Sequence, residues 1–143
     1  MGEPDPNLIK QLLSELRDVN KEKRRTAVMK LGMVGGEQAI RALINAVQND
    51  YEDLIVRGRA ALMLGKLGDT RAVDPLIRAL DAPGYQTPIN AAQALGQLGD
   101  PRAIDALVEF ANHGRDRSRD IAIDSLKKLG HEFREPELER EKI

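Results

Sequence analysis

A chain of 143 residues suffices for one domain, and its 41% hydrophobic content includes only 3% aromatics and no Trp. Its core is therefore Ala, Leu, Ile and Val, which suits closely packed helices better than a sheet. With 22 Lys and Arg against 23 Asp and Glu, the net charge of −1 argues against a dedicated nucleic-acid or membrane-surface protein, and the lack of cysteine excludes disulfides, Cys-based metal sites and thiol chemistry.

The opening Met-Gly-Glu-Pro-Asp-Pro has neither the basic nor the apolar region of a signal peptide, and no apolar run reaches the roughly 18 residues of a membrane helix, so a cytoplasmic protein is expected. Leu8, Ile9, Leu12, Leu13 and Leu16 then form one helical stripe behind an acidic, proline-flanked start that serves as a cap. From Ala27 to Val47 the pattern reads as two helices, A and B. They are joined by Met33-Val34-Gly35-Gly36, a helix–helix turn without the Gly-Lys-Ser/Thr ending of a phosphate loop.

This pair recurs. Gly32, Gly35, Ala39 and Leu43 match Gly65, Gly68, Ala72 and Leu76, and these in turn match Gly96, Gly99, Ala103 and Leu107. The longer first interval places two extra residues in the connection Asn49-Asp50-Tyr51-Glu52-Asp53, where insertion costs little. Helix A of the middle copy aligns Ala60, Ala61, Leu64 and Leu67, and Gly68 suits the left-handed residue that closes it. Asp69 caps helix B, which buries Ala72, Val73, Leu76, Ile77 and Leu80, and Asp100-Pro101 repeats the start with proline at the first helical position. The third copy enters helix A through Thr87-Pro88, read as cap plus proline, after the turn Asp81-Ala82-Pro83-Gly84.

Ala122, Ile123, Leu126, Leu129 and Gly130 match Ala91, Ala92, Leu95, Leu98 and Gly99, which gives a lone final helix A. There Lys127 replaces the mid-helix glycine of Gly32, Gly65 and Gly96. Glycine in a helix interior costs about 1 kcal/mol against Ala, so it is expected to make room for helix B of the same pair. His131 and Pro136 break the register. Residues 131–143 then read as an acidic C-terminal tail anchored by Phe133 and Leu138. Residues 1–130 are expected to form a single all-α repeat domain of eight helices, three full pairs plus a half repeat at each end. The unpartnered stripes at its ends fit a monomer or weak homodimer.

Val56-Arg57, Ala60-Ala61 and the run Leu64-Gly65-Lys66-Leu67-Gly68-Asp69-Thr70-Arg71-Ala72-Val73-Asp74-Pro75-Leu76-Ile77 resemble the HEAT-like repeat of the phycobilisome (PBS) lyase type. The run Leu95-Gly96-Gln97-Leu98-Gly99-Asp100-Pro101-Arg102-Ala103-Ile104-Asp105-Ala106-Leu107 carries the resemblance again, and it extends over about residues 5 to 130. It implies an α-solenoid, a right-handed superhelix with B helices on the concave face and A helices on the convex one. The repeat type does not settle the role. Similar proteins include phycobilin lyase subunits, which are generally longer and work in pairs, deoxyhypusine hydroxylase, and many adaptors.

On that geometry the concave face carries three rows by register. Lys10, Arg41, Asp74 and Asp105 make one; Asn7, Gln38, Arg71 and Arg102 a second; Ser14, Asn45, Arg78 and Glu109 a third. Such a surface suits a partner segment carrying both signs of charge. The simpler reading is that neighbouring Arg and Asp pair between repeats and solubilise the face. A second, basic ladder lies where the A helices begin: Arg24, Arg57 and Arg119, joined by Lys21, Lys23, Arg25, Arg59, Arg115 and Arg117. Cations there oppose the helix dipole, a mismatch relieved by a bound anion or by Asp53, Asp116 and Asp120 of neighbouring repeats.

Nothing in the groove offers an aromatic platform for stacking bases, so nucleic acid is not an expected partner. His131-Glu132 is similar to the His-Glu pairs of deoxyhypusine hydroxylase. The positions that should repeat it hold Gly58-Arg59 and Ile89-Asn90, so no iron site, metal or cofactor is expected. His113-Gly114 reads as a helix end, and Ser14, Ser118 and Ser125 sit in no strained turn. The expectation is a non-catalytic protein–protein interaction module, not an enzyme, binding a partner protein or peptide on the concave face. The alternative is an accessory subunit of a phycobilin lyase-type system for attaching or detaching a chromophore, although three full repeats leave little room for a tetrapyrrole.

Overall fold

The computed structural model describes residues 3–134. All regular structure among them is helical: α1 (Pro6–Glu15), α2 (Lys21–Val34), α3 (Glu37–Gln48), α4 (Leu54–Leu67), α5 (Val73–Ala79), α6 (Gln86–Leu98), α7 (Ile104–His113) and α8 (Asp116–Lys128). The pairs α2–α3, α4–α5 and α6–α7 are the full repeats, with α1 and α8 as half repeats, so the described residues form an α-solenoid of eight helices.

The helix boundaries follow from local chemistry. Asp5 accepts the Asn7 N–H at 2.9 Å with Pro6 in the first helical position, and Asn20 and Asp53 cap α2 and α4. Gly68 and Gly99, at φ 72° and 71°, close α4 and α6 in the left-handed region. Asp69 and Asp100 accept the amides of Arg71 and Arg102, each at 2.9 Å, and open short 3₁₀ turns that lead into α5 and α7. Thr87 departs from its expected role as a cap. Helix α6 starts at Gln86, and Thr87 is buried inside the first turn with its hydroxyl 3.5 Å from the Leu54 carbonyl of α4. Its side chain serves the neighbouring repeat. Leu8, expected on the buried stripe of α1, is 38% exposed, whereas Ile9 and Leu12 are buried.

One fully buried leucine comes from every helix: Leu12, Leu31, Leu43, Leu64, Leu76, Leu95, Leu107 and Leu126. Each such side chain contributes about 2 kcal/mol through removal from water, and together they make a continuous core running the length of the stack.

The mid-helix glycines have a different neighbour from the one expected. A Cβ on Gly32 would overlap the side chain of Met63; on Gly65 it would stand 2.9 Å from the Ala94 Cα, and on Gly96 2.9 Å from the Ser125 Cα. Met63, Ala94 and Ser125 lie on α4, α6 and α8. The glycines therefore admit helix A of the next repeat, not helix B of their own. Two buried hydrogen bonds fasten the same seam, Asn90 Nδ2 to the Gly58 carbonyl at 2.8 Å and Ser125 Oγ to the Ala92 carbonyl at 2.7 Å. Successive A helices are thus tightly laced, and clefts remain between successive B helices.

After α8, Phe133 packs partly buried against the core, with the Arg119 guanidinium 5.4 Å from its ring centroid. Pro136, Leu138 and most of the expected acidic tail lie outside the described residues.

Candidate functional site: the clefts of the B-helix face

The B helices α1, α3, α5 and α7, with the 3₁₀ turns that lead into α5 and α7, carry the ten residues assigned from the sequence, and all ten are exposed: Lys10, Gln38, Arg41, Asn45, Arg71, Asp74, Arg78, Arg102, Asp105 and Glu109. They divide into two groups. Arg71 donates to both Glu37 oxygens at 2.7 and 2.9 Å and to its own cap Asp69 at 2.8 Å, and Arg41 donates to Glu37 at 2.7 Å. Arg102 grips its cap Asp100 at 2.9 Å and reaches back to the Thr70 carbonyl at 3.4 Å, with Asp74 at 3.9 Å. Arg71 and Arg102 thus lace one repeat to the one before, while Arg41 pairs within its own helix. The Arg71 hydrogen bond, helped by Arg41, holds the Glu37 carboxyl below its usual range, and Arg71 and Arg102 do the same for Asp69 and Asp100.

The second group faces the clefts or stands clear of the ion pairs. Among the described residues, Lys10, Gln38, Asn45, Arg78, Asp105 and Glu109 have no side-chain hydrogen bond or ion pair. Lys10, Gln38 and Arg41 come together around a groove of about 700 Å³ between α1 and α3, walled by Pro4, Pro6, Ile9 and Leu13. The first turn of α3 has no side-chain cap, so its amide groups are open to the groove's neighbourhood. Asn45 lines a smaller cleft further along the same helices, Arg78 lines the cleft between α3 and α5, and Glu109 that between α5 and α7 beside Phe110 and His113. The imidazole of His113 meets the Glu109 carbonyl at 2.9 Å, in the last turn of α7.

The basic ladder at the A-helix starts is largely satisfied from within. Arg24 meets Glu52 at 3.1 Å and the carbonyls of Asp18 and Val19; Arg25 meets Asp53; Arg59 donates to the Arg25 carbonyl at 3.2 Å. Beside the exposed Lys21, Lys23, Arg115 and Arg117, this edge exposes the large apolar side chains Val19, Tyr51, Leu54, Ile55 and Tyr85. One residue important to the face, Glu37, went unrecognised in the sequence, and Arg57 was placed on the basic ladder without its true partner. Glu37 anchors two arginines, and its place four residues before Arg41 was the available signal. Arg57 is buried against the end of α3, where its Nε and Nη2 donate to the Val47 carbonyl at 3.2 and 3.1 Å; its sequence position showed helix periodicity but not this reach.

The described residues hold no group of three or more His, Asp or Glu side chains placed to bind a metal ion, and no helix long and apolar enough to cross a membrane.

The HEAT-repeat family matches residues 9–87 and 53–127, and the chain belongs to it. Its repeats are of the PBS lyase type. The chain is 41% identical over 63 residues to the bilin biosynthesis protein PecE of a Nostoc species, and 42% identical over 65 residues to the phycocyanobilin lyase subunit alpha of a Picosynechococcus species. These matches cover 44% and 42% of the chain and 24% of each relative, so the chain matches about a quarter of their length. In three dimensions it is similar to a chain of the complex of CpcE and CpcF of phycocyanin lyase from Nostoc, with a TM-score of 0.73 and 28% identity over 85% of this chain and 53% of that one. Human deoxyhypusine hydroxylase shares the fold at a TM-score of 0.73 and 22% identity, over 87% of this chain and 44% of that one. The expectation of a protein outside enzyme chemistry is corrected here, because the relatives that match by sequence are named as parts of bilin biosynthesis and a bilin lyase.

Proposed function

We propose that the chain is a HEAT-repeat subunit of a bilin lyase-type system that works together with a second protein. The observation that carries this reading is the 41–42% identity, over 63 and 65 residues, to two bilin proteins; over the superposed structures the phycocyanin lyase chain is 28% identical and the hydroxylase 22%, where the likeness is one of fold. The α1/α3 groove is compatible with it. A bilin is an open-chain tetrapyrrole, apolar along its rings and anionic at its propionate arms. Pro4, Pro6, Ile9 and Leu13 offer it an apolar wall and Lys10 stands as an unpaired cation at the rim, while Arg41 is paired with Glu37, which lines the groove together with Glu3. The second protein lies along the rest of the B-helix face, over Asn45, Asp74, Arg78, Asp105 and Glu109, whose mixed charges favour a partner carrying both signs.

The test is a titration of phycocyanobilin with the purified protein. A saturable red shift in absorbance, weakened about tenfold in the double variant Lys10→Glu/Arg41→Glu, is the expected result. A spectrum unchanged at excess protein removes the bilin from this reading.

A further inference from the structure

Three contacts repeat along the A-helix seam in one register. The bare backbone of Gly32, Gly65 and Gly96 faces Met63, Ala94 and Ser125 of the next A helix, and those three side chains are buried. The sequence spacing carries each row one step further, to the two ends of the stack. Lys127 on α8 continues the glycine row, 31 residues after Gly96, and Lys30 on α2 continues the opposite row, 33 residues before Met63. Both lysines are exposed, and neither side chain has an ion pair or hydrogen bond among the described residues. The outer flanks of α2 and α8 thus each carry a free cation at the position where an interior seam is tightest.

The described helices begin with a B helix, α1, and end with an A helix, α8. A second copy set end to end would therefore give each of them its missing neighbour. In that stack α2 of the second copy lies on α8 of the first, and Lys30 meets Lys127. An interior seam has no room for even one Cβ in the glycine row, since at Gly65 and Gly96 it would stand 2.9 Å from a Cα of the next helix. A lysine there holds the helices apart, and a second lysine opposite makes a desolvated pair of like charges. The neighbouring contact has the opposite sense. Gly58 faces Thr87 and Asn90, and the corresponding residues at the join are Asp120 on α8 with Lys23 and Thr26 on α2, so there unlike charges meet.

We infer that Lys30 and Lys127 keep copies of this chain from joining end to end through the A-helix seam, and that the flanks they guard otherwise fit a second copy. A head-to-tail contact does not close on itself, so without the two lysines the product is an open chain of molecules. Both lysines lie in the A layer, apart from the α1/α3 groove and the B-helix face, so their role is independent of the function proposed above.

The experiment is sedimentation velocity of the full chain over about a hundredfold range of concentration, wild type beside Lys30→Ala/Lys127→Gly. Wild type is expected to keep the mass of a monomer throughout. The double variant is expected to reach at least about twice that weight-average mass, rising with concentration and without a plateau at the dimer. Adding Asp120→Lys sets like charges against Lys23 and is expected to return the monomer. The fold tolerates these changes, because α2, α4 and α6 are helical through Gly32, Gly65 and Gly96, and unchanged circular dichroism checks it. A double variant that stays monomeric, a wild type that already grows with concentration, or a triple variant that associates as before would each overturn the inference.

Discussion

Arg25 and Asp53 stand 28 residues apart and are joined by two parallel hydrogen bonds, Nε to Oδ2 at 2.8 Å and Nη2 to Oδ1 at 2.9 Å. The same Asp53 Oδ2 accepts the amides of Ile55 and Val56 at 3.1 and 3.2 Å. One carboxylate therefore caps α4 and ties it to α2. Asp53→Ala is expected to lower the free energy of unfolding by about 2–3 kcal/mol, the sum of a lost cap and a lost bidentate pair. Asp53→Asn, which keeps a capping oxygen, costs roughly half as much. Urea unfolding followed by circular dichroism measures both.

Acid sensitivity follows from the same contact. The Arg25 hydrogen bond, aided by the Val56 and Ile55 amides, holds the Asp53 pKa at about 2 against an ordinary 3.8. Because the folded value is the lower one, the stabilisation is complete above about pH 4 and is lost as pH falls toward about 2. Glu37, Asp69 and Asp100 shift in the same direction. Melting temperatures of the wild type should drop across this window, with a shallower drop for Asp53→Asn.

The glycine seam gives a test of coupling between repeats. Gly32→Ala is expected to be destabilising, since its Cβ meets the Met63 side chain, and Met63→Ala should remove most of that penalty. A double-mutant cycle should show a coupling of at least about 1 kcal/mol. Gly65→Ala has no such remedy, because part of what it meets is the backbone of α6 at the Ala94 Cα. An additive cycle at Gly32 and Met63 would show that the two helices do not meet there.

At Asn90 the expected effect is local. Its Nδ2 donates to the Gly58 carbonyl, and its Oδ1 accepts from Gln86 Nε2 at 2.7 Å. Asn90→Ala should cost about 1–2 kcal/mol and raise hydrogen exchange at the start of α6 ahead of the rest of the chain.

The proposed association with a second protein uses charges that the fold itself hardly needs. Arg41 pairs only with Glu37 four residues earlier, and Arg78 with nothing among the described residues. Arg41→Glu with Arg78→Glu is expected to abolish co-purification with a paired lyase-type subunit while leaving helicity unchanged. Retained co-purification would move the interface off the B-helix face.

The repeat was legible because its spacing is written in residues that do one job each. Leu64, Leu95 and Leu126 recur at helix A, and Gly68 and Gly99 close the helices that precede the B segments. What periodicity could not supply was the identity of the neighbour across each face. Gly65 marked a close approach, but only coordinates show that α6 makes it. Thr87 looked like a cap because Pro88 follows it, yet a carbonyl of the preceding repeat claims its hydroxyl. The polar lacing was hidden for the same reason: Arg71 and Glu37 lie 34 residues apart, and no local pattern links them. The rows assigned to the B helices are exposed, but whether a charge there was committed or free depended on these long reaches.

The unequal packing of the two layers has a mechanical consequence. The A helices, interlocked at Gly32, Gly65 and Gly96, form a stiff spine, while the B helices are spaced like the folds of a bellows. Any change in the curvature of the stack is therefore expected to be taken up at the B-helix clefts and not at the A-helix seam.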